Sequence, residues 1–263
     1  LDKLQVETPD TALNSMLNIH NPRQCQTTKT WSRYLSLYQL GYGSRGMGFR
    51  DSSQDVMAVM HAIPQDAKKL LESLLSVQRP DGSAYHQFYP LSGEASEGDS
   101  LEYPDRPHYY CDDHLWGVMA VCQYIKETGD IAFLESILPF YHPKHATGKP
   151  QTGTVLDHLQ RALNFTRTDT GSHGIPLLGF ADWNDTVNLP RGAESFLAAC
   201  LYGRALMEMI ELMRFLKFEE NAKQYQDWFD EIASIFNIQA ENKDGIRSSI
   251  VEEKKTKETA GKQ

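Results

Sequence analysis

The chain has 263 residues, 40% of them apolar and 23% charged, and its 35 acidic side chains outnumber its 26 basic ones to leave a net charge of −9. That composition suits a globular chain with one sizeable core and excludes a disordered polymer or a coiled-coil rod as its overall description. An acidic chain repels the phosphate backbone that dominates nucleic-acid affinity, and no apolar run reaches the roughly 18 residues of a membrane span, so neither nucleic acid nor membrane is an expected partner.

The leading residues LDKLQVETPD lack the basic-then-apolar order of a signal peptide, which points to a cytoplasmic chain. Apolar residues then recur three and four apart over 31–40, 51–63, 64–77, 114–127, 131–138, 155–165, 196–216 and 225–236, predicting about eight helices. Pro64 suits a first helical position, Gly129 can end a helix in a left-handed conformation, and Asp130 can cap the next one. Alternating runs of the kind that mark half-buried strands are almost absent. The fold class expected is therefore all-α, and no residue-identity period supports a repeat scaffold.

Two connecting stretches, 79–110 and 142–153, are long, rich in Gly and Pro, and dense in His, Tyr and Asp. Long loops of this kind are more often functional than decorative, and aromatic faces with carboxylates suit a carbohydrate. Cys25, Cys111, Cys122 and Cys200 are scattered, with no metal-binding spacing, and read as reduced core thiols. Two glycosylation sequons, Asn164-Phe-Thr166 and Asn184-Asp-Thr186, would go unread in a cytosolic chain. The final EEKKTKETAGKQ has no large apolar residue and reads as a solvated tail.

Three clusters carry chemistry. In SRGMGFRDSSQD (44–55), glycines permit a tight backbone before a helix, placing Arg45, Arg50 and Asp51 around a helix N-terminus where an anion is favoured. The same residues would also serve as a cap with a solvated acidic first turn. In DDHLW (112–116), Asp112 and Asp113 are either caps or the acidic wall of a cleft with Trp116 as a sugar platform, and no metal site is indicated. In GFADWND (179–185), Asp182 and Asp185 flank Trp183 and an amide beside an apolar segment, a setting that can keep a carboxyl protonated as a general acid. Asx turns pinning a loop would use the same residues.

The strings YLSLYQLGYGSRGMGFRDSSQD, DGSAYHQFYPL, YYCDDHLW, YIKETGD, HGIPLLGFADWNDTVNL and RGAES together resemble the inverting glycoside phosphorylases of glycoside hydrolase family 94, most nearly the cellodextrin phosphorylase branch. The resemblance runs to about residue 236. It implies an (α/α)6 barrel, a six-hairpin toroid incomplete in this chain, with 1–240 as a partial catalytic domain and 241–263 as a divergent, disordered tail. It implies phosphorolysis of a β-linked, cellodextrin-like gluco-oligosaccharide, with Asp185 as general acid and α-glucose 1-phosphate as product. Inorganic phosphate is then a co-substrate, and no metal or organic cofactor is required. Arg45, Arg50, Asp51 and Trp183 would hold the sugar, with Arg45 and Arg50 also on phosphate; Asp182, Asp113 and Trp116 match family strings as further substrate residues. A homodimer is implied as well. The competing expectations are a truncated, inactive sugar-binding remnant and an inverting glycosidase using water with Asp51 or Asp113 as base.

Overall fold

A computed structural model describes residues 5–32, 46–187, 189–242, 245–246 and 249–250. Residues 11–32 form one helical run in which α1 (Thr11–Ser15) and α2 (Asn21–Thr27) alternate with the π turns Met16–His20 and Thr28–Ser32. Asp10 caps this run by accepting from the amides of Ala12 and Leu13. The periodicity reading starts only at 31 and leaves this run out, although Leu13, Met16 and Leu17 stand three and four apart; these three and Ile19 are exposed. Of the helix expected over 31–40, residues 33–40 lie outside the described residues.

The remaining helices are α3 (Phe49–Met57), α4 (Pro64–Leu75), α5 (Asp113–Thr128), α6 (Val155–Thr168), α7 (Phe196–Phe215) and α8 (Glu219–Ala240). Local chemistry explains their ends. Pro64 opens α4, the Thr154 hydroxyl accepts from Asp157 N at 3.0 Å to cap α6, and Ser195 Oγ accepts from Ala198 N at 3.1 Å to cap α7. Gly129 ends α5 at φ 70° and donates back to Ile125 O. Asp130 does not cap the next turn: its carboxylate accepts from Lys68 Nζ at 2.8 Å and Tyr124 Oη at 3.0 Å.

The helix expected over 131–138 is a 3-10 turn, Ile131–Glu135, followed by a strand, Ile137–Pro139, paired antiparallel with Thr152–Thr154. The residue before Pro139 is pushed towards extended backbone, which favours the strand over a continued helix. The expected helix over 51–63 starts earlier and ends at Met57. Short strands, which the alternation test does not detect, stitch the loops together; the main ladder pairs Met47–Gly48 with Gln87–Tyr89 and that with Glu94–Ser96.

Helix α5 lies at the centre, packed against α3, α4, α6 and α7, and α7 pairs in turn with α8. Their shared core includes Val56, Leu71, Leu115, Val121, Leu159, Leu206 and Met209. Cys111 and Cys122 are buried free thiols, whereas Cys200 is exposed and is no core thiol. Past 240, where a disordered tail is expected, Glu241–Asn242 pairs with Gly245–Ile246, and Ser249–Ile250 pairs with Glu194–Ser195 and buries Ile250. Among the described residues no helix is long and apolar enough to cross a membrane.

Candidate active site

Three distant sequence strings meet because their backbones are zipped together. Phe180 N donates to Tyr109 O at 2.8 Å and Cys111 N to Ala181 O at 3.1 Å, which ties the GFADWND loop to the segment leading into α5. Gly179 makes this approach possible: it sits at φ +64°, and a Cβ there would lie 2.5 Å from Tyr109 O. On the other side, the ladder ending at Gly48 and a bond from Phe49 N to His86 O at 2.9 Å set the first turn of α3 against the same place.

Arg50 is the hub. It is only 4% exposed, and its Nη1 donates to Asp112 Oδ1 at 3.1 Å and to the main-chain oxygen of Asp182 at 2.8 Å, while Nη2 donates to Asp185 Oδ1. Burial alone would lower its pKa, but the carboxylates of Asp112, Asp113 and Asp185 outweigh burial and raise it. The Tyr110 ring faces the guanidinium at 5.6 Å.

Asp112 and Asp113 are both fully buried and act neither as caps nor as a solvent-facing wall. Asp112 has helical backbone angles, not the extended ones of a capping residue, so its side chain turns to Arg50 and to the Trp116 indole N–H at 3.0 Å. Burial, with the Asp113 charge beside it, pushes the Asp112 carboxyl up to about 7 against the pull of Arg50 and Trp116. Asp113 Oδ2 meets His86 Nδ1 at 3.0 Å, and its Oδ1 is buried without a hydrogen-bond partner. The sugar-platform role expected of Trp116 meets a half-buried ring whose polar edge is already bonded to Asp112.

Both Asx turns of the third cluster form: Asp182 Oδ1 accepts from Asn184 N at 2.9 Å, and Asn184 Oδ1 accepts from Thr186 N at 3.2 Å. Asp182 Oδ2 also accepts from Ser195 Oγ at 2.7 Å, which locks the loop to the start of α7. Asp182 is thus a buried anchor, while Trp183 (53% exposed) and the Asp185 side chain (55% exposed) point outward. Asp51 lies half-buried in the first turn of α3, with its carboxylate folded towards Gly48, where a Cβ would come within 2.6 Å of Oδ2. Arg45 lies outside the described residues, so Arg50 alone represents the expected arginine pair.

Two residues that periodicity and motif reasoning missed complete the surroundings. His86 stacks on Tyr110 with ring centroids 3.7 Å apart, and although burial lowers its pKa, the Asp113 charge and hydrogen bond raise it overall. Glu194, 1% exposed, accepts from the amides of His173 and Ile175 and meets His173 Nδ1 at 2.6 Å, fixing the strand that supports the loop from below. Both lie inside two of the family-like strings, DGSAYHQFYPL and RGAES, and that membership was the available signal. Among the described residues no group of three or more His, Cys, Asp or Glu is placed to hold a metal ion.

The cluster therefore joins a buried, charged arginine to an outward carboxylate and an exposed indole, an arrangement able to hold an anion and a sugar face side by side. Known proteins are similar to this chain over most of its length. N,N'-diacetylchitobiose phosphorylase of Vibrio proteolyticus is 32% identical over 240 residues, which is 86% of this chain and 29% of that protein. Its counterpart from Vibrio furnissii is 33% identical over 239 residues, 85% of this chain and 29% of the relative. Solabiose phosphorylase of Paenibacillus borealis is 30% identical over 217 residues, 81% of this chain and 24% of the relative. The chain thus spans less than a third of the length of these curated relatives. The family model of the Glycosyl hydrolase 94 superfamily, catalytic domain, matches residues 1–249, and the chain belongs to that family.

Proposed function

We propose that this chain carries the acid half of an inverting glycoside phosphorylase site, in which Asp185 protonates the glycosidic oxygen while inorganic phosphate attacks the anomeric carbon from the opposite face. The carrying observation is the outward placement of Asp185 and Trp183 beside the buried Arg50. An inverting hydrolase needs a second carboxylate to activate water, whereas phosphate arrives as an anionic nucleophile and needs cationic positioning. Asp113, fully buried and bonded to His86, is poorly placed to activate water, which argues against its use as a base. A β-linked gluco-oligosaccharide of the cellodextrin type would yield α-glucose 1-phosphate, with Arg50 and the Trp183 face orienting the sugar.

The test is an incubation of the chain with cellodextrins, N,N'-diacetylchitobiose and solabiose, with and without phosphate, assayed for sugar 1-phosphate. Release that requires phosphate and falls at least about a hundredfold in Asp185→Asn supports the reading. Equal release of reducing sugar without phosphate would replace it with a glycosidase. Oligosaccharide binding in calorimetry with no turnover under either condition would make the chain a sugar-binding one.

A further inference from the structure

Asp112 gives its carboxylate to Arg50 and Trp116, but Asp113, equally buried, bonds His86: Oδ2 meets Nδ1 at 3.0 Å, and Oδ1 has no partner. A carboxylate accepts, so this bond puts a hydrogen on Nδ1 and leaves Nε2 for another partner. The rest of the ring is held as closely. One face stacks on Tyr110, and His86 O accepts from Phe49 N at 2.9 Å. Gly98, at φ +66°, gives the ring its room, since a Cβ there would lie 2.6 Å from Cδ2, the carbon next to Nε2. Nε2 has no hydrogen-bond partner among the described residues, yet it is not sealed in as His114 Nδ1 is, for the His86 side chain stays 11% exposed. The ring also belongs to the Arg50 cluster: the Tyr110 it stacks on faces the guanidinium at 5.6 Å, and the charges of Arg50 and Asp185 both act on it.

We propose that His86 Nε2 binds a hydroxyl of the sugar seated beside Trp183 and Asp185, and that Asp113 is the positioning residue that fixes the imidazole for it. This rests on the phosphorylase reading of the cluster and adds a substrate contact to it. With a hydrogen on Nδ1, a neutral ring accepts a hydroxyl proton at Nε2, and a protonated ring donates to the hydroxyl oxygen. A sugar hydroxyl, which both donates and accepts, suits the ring in either state, whereas an anion suits the protonated ring alone. Because the ring is already held by Asp113, Tyr110 and Gly98, little side-chain freedom remains to be lost when a sugar arrives.

The experiment titrates cellobiose and N,N'-diacetylchitobiose into the 263-residue chain carrying 15N-labelled histidine. Affinity is read by calorimetry, and the two ring nitrogens are followed by long-range proton–nitrogen correlation, with His86 identified by its NOE to the Tyr110 ring. At least one of the sugars should bind and move the His86 Nε2 resonance well beyond that of Nδ1. His86→Gln, whose amide can still meet Asp113, should bind that sugar roughly tenfold more weakly or worse. Asp113→Asn should weaken binding in the wild-type background and make no further difference in His86→Gln. Sugar binding that leaves Nε2 unmoved, or that His86→Gln does not weaken, overturns the contact, as does the absence of binding by either sugar. Inorganic phosphate alone moving Nε2 as far as the sugar does would assign the ring to an anion and overturn it too. An equal loss from Asp113→Asn in both backgrounds would remove Asp113 from the positioning role. None of these readouts needs turnover, so the proton-donor reading stands or falls separately, on phosphate-dependent release of sugar 1-phosphate and its loss in Asp185→Asn.

Discussion

Ala205, Leu206, Met209 and Met213 on α7 are as completely removed from water as Asp112, Asp113 and Arg50, all lying between 0 and 4% exposed. The first group packs within the apolar core shared with α5 and α8, where attraction is non-directional and scales with area. Within the second group Arg50 and Asp112 meet atom by atom: both terminal Arg50 nitrogens have a named oxygen, and each oxygen of Asp112 has a named nitrogen, whereas Asp113 bonds through Oδ2 alone. Burial of the first kind stabilises almost any sequence of similar volume. Burial of the second kind costs desolvation and returns orientation, because one arrangement satisfies the charges and others leave one stranded.

The sharpest way to break that contrast is to strand a charge. Arg50→Met leaves Asp112 buried without its counter-ion and should cost about 3–5 kcal/mol in urea unfolding, and adding Asp112→Asn to it should recover part of the loss. Were the double variant no better than the single one, the pair would not be coupled as described. In the apolar hairpin, Leu206→Ala should cost about 2–5 kcal/mol but Leu206→Met less than about 1.5, a tolerance that no substitution at Arg50 should match.

Acidity separates the regions further. Burial lowers the pKa of His114 to about 3 and of His158 to about 4, so below about 6.5 the unfolded chain binds protons that the folded chain refuses. Stability therefore falls as the pH drops from 6.5 towards 4. Asp112, raised to about 7, acts oppositely: the folded chain gains its proton first, adding stability between about 7 and the unfolded carboxyl value near 4. Asp112→Asn should then steepen the acid-side loss by up to about 1.4 kcal/mol per pH unit, measured as urea midpoints at several pH values. An unchanged slope would mean that Asp112 stays ionised. The smallest effect belongs to the exposed pair Arg167 with Glu231: Glu231→Gln should cost less than about 1 kcal/mol.

The helices were legible wherever local chemistry decides them. Pro64, Gly129 and the apolar faces of α4 to α8 specify their elements within a few residues of sequence. The site was legible as strings but not as geometry, because its bonds join residues 62, 132 and 135 positions apart and depend on backbone docking that periodicity does not encode. Asp130 shows the same limit on a smaller scale, since a lysine 62 residues away takes the carboxylate that local rules assign to a cap. Asp112 escaped its capping role for the same reason.

The oxygen through which Asp182 meets Arg50 belongs to the main chain, and every residue type has one. This one of the loop's two bonds to Arg50 is therefore blind to the side chain, unlike the bond to the Asp185 carboxylate. An exposed side chain of the loop such as Trp183 can be changed, in a laboratory library or over evolutionary time, while the Asp182 carbonyl stays berthed against the same arginine. A loop moored this way keeps its place while its outer face changes.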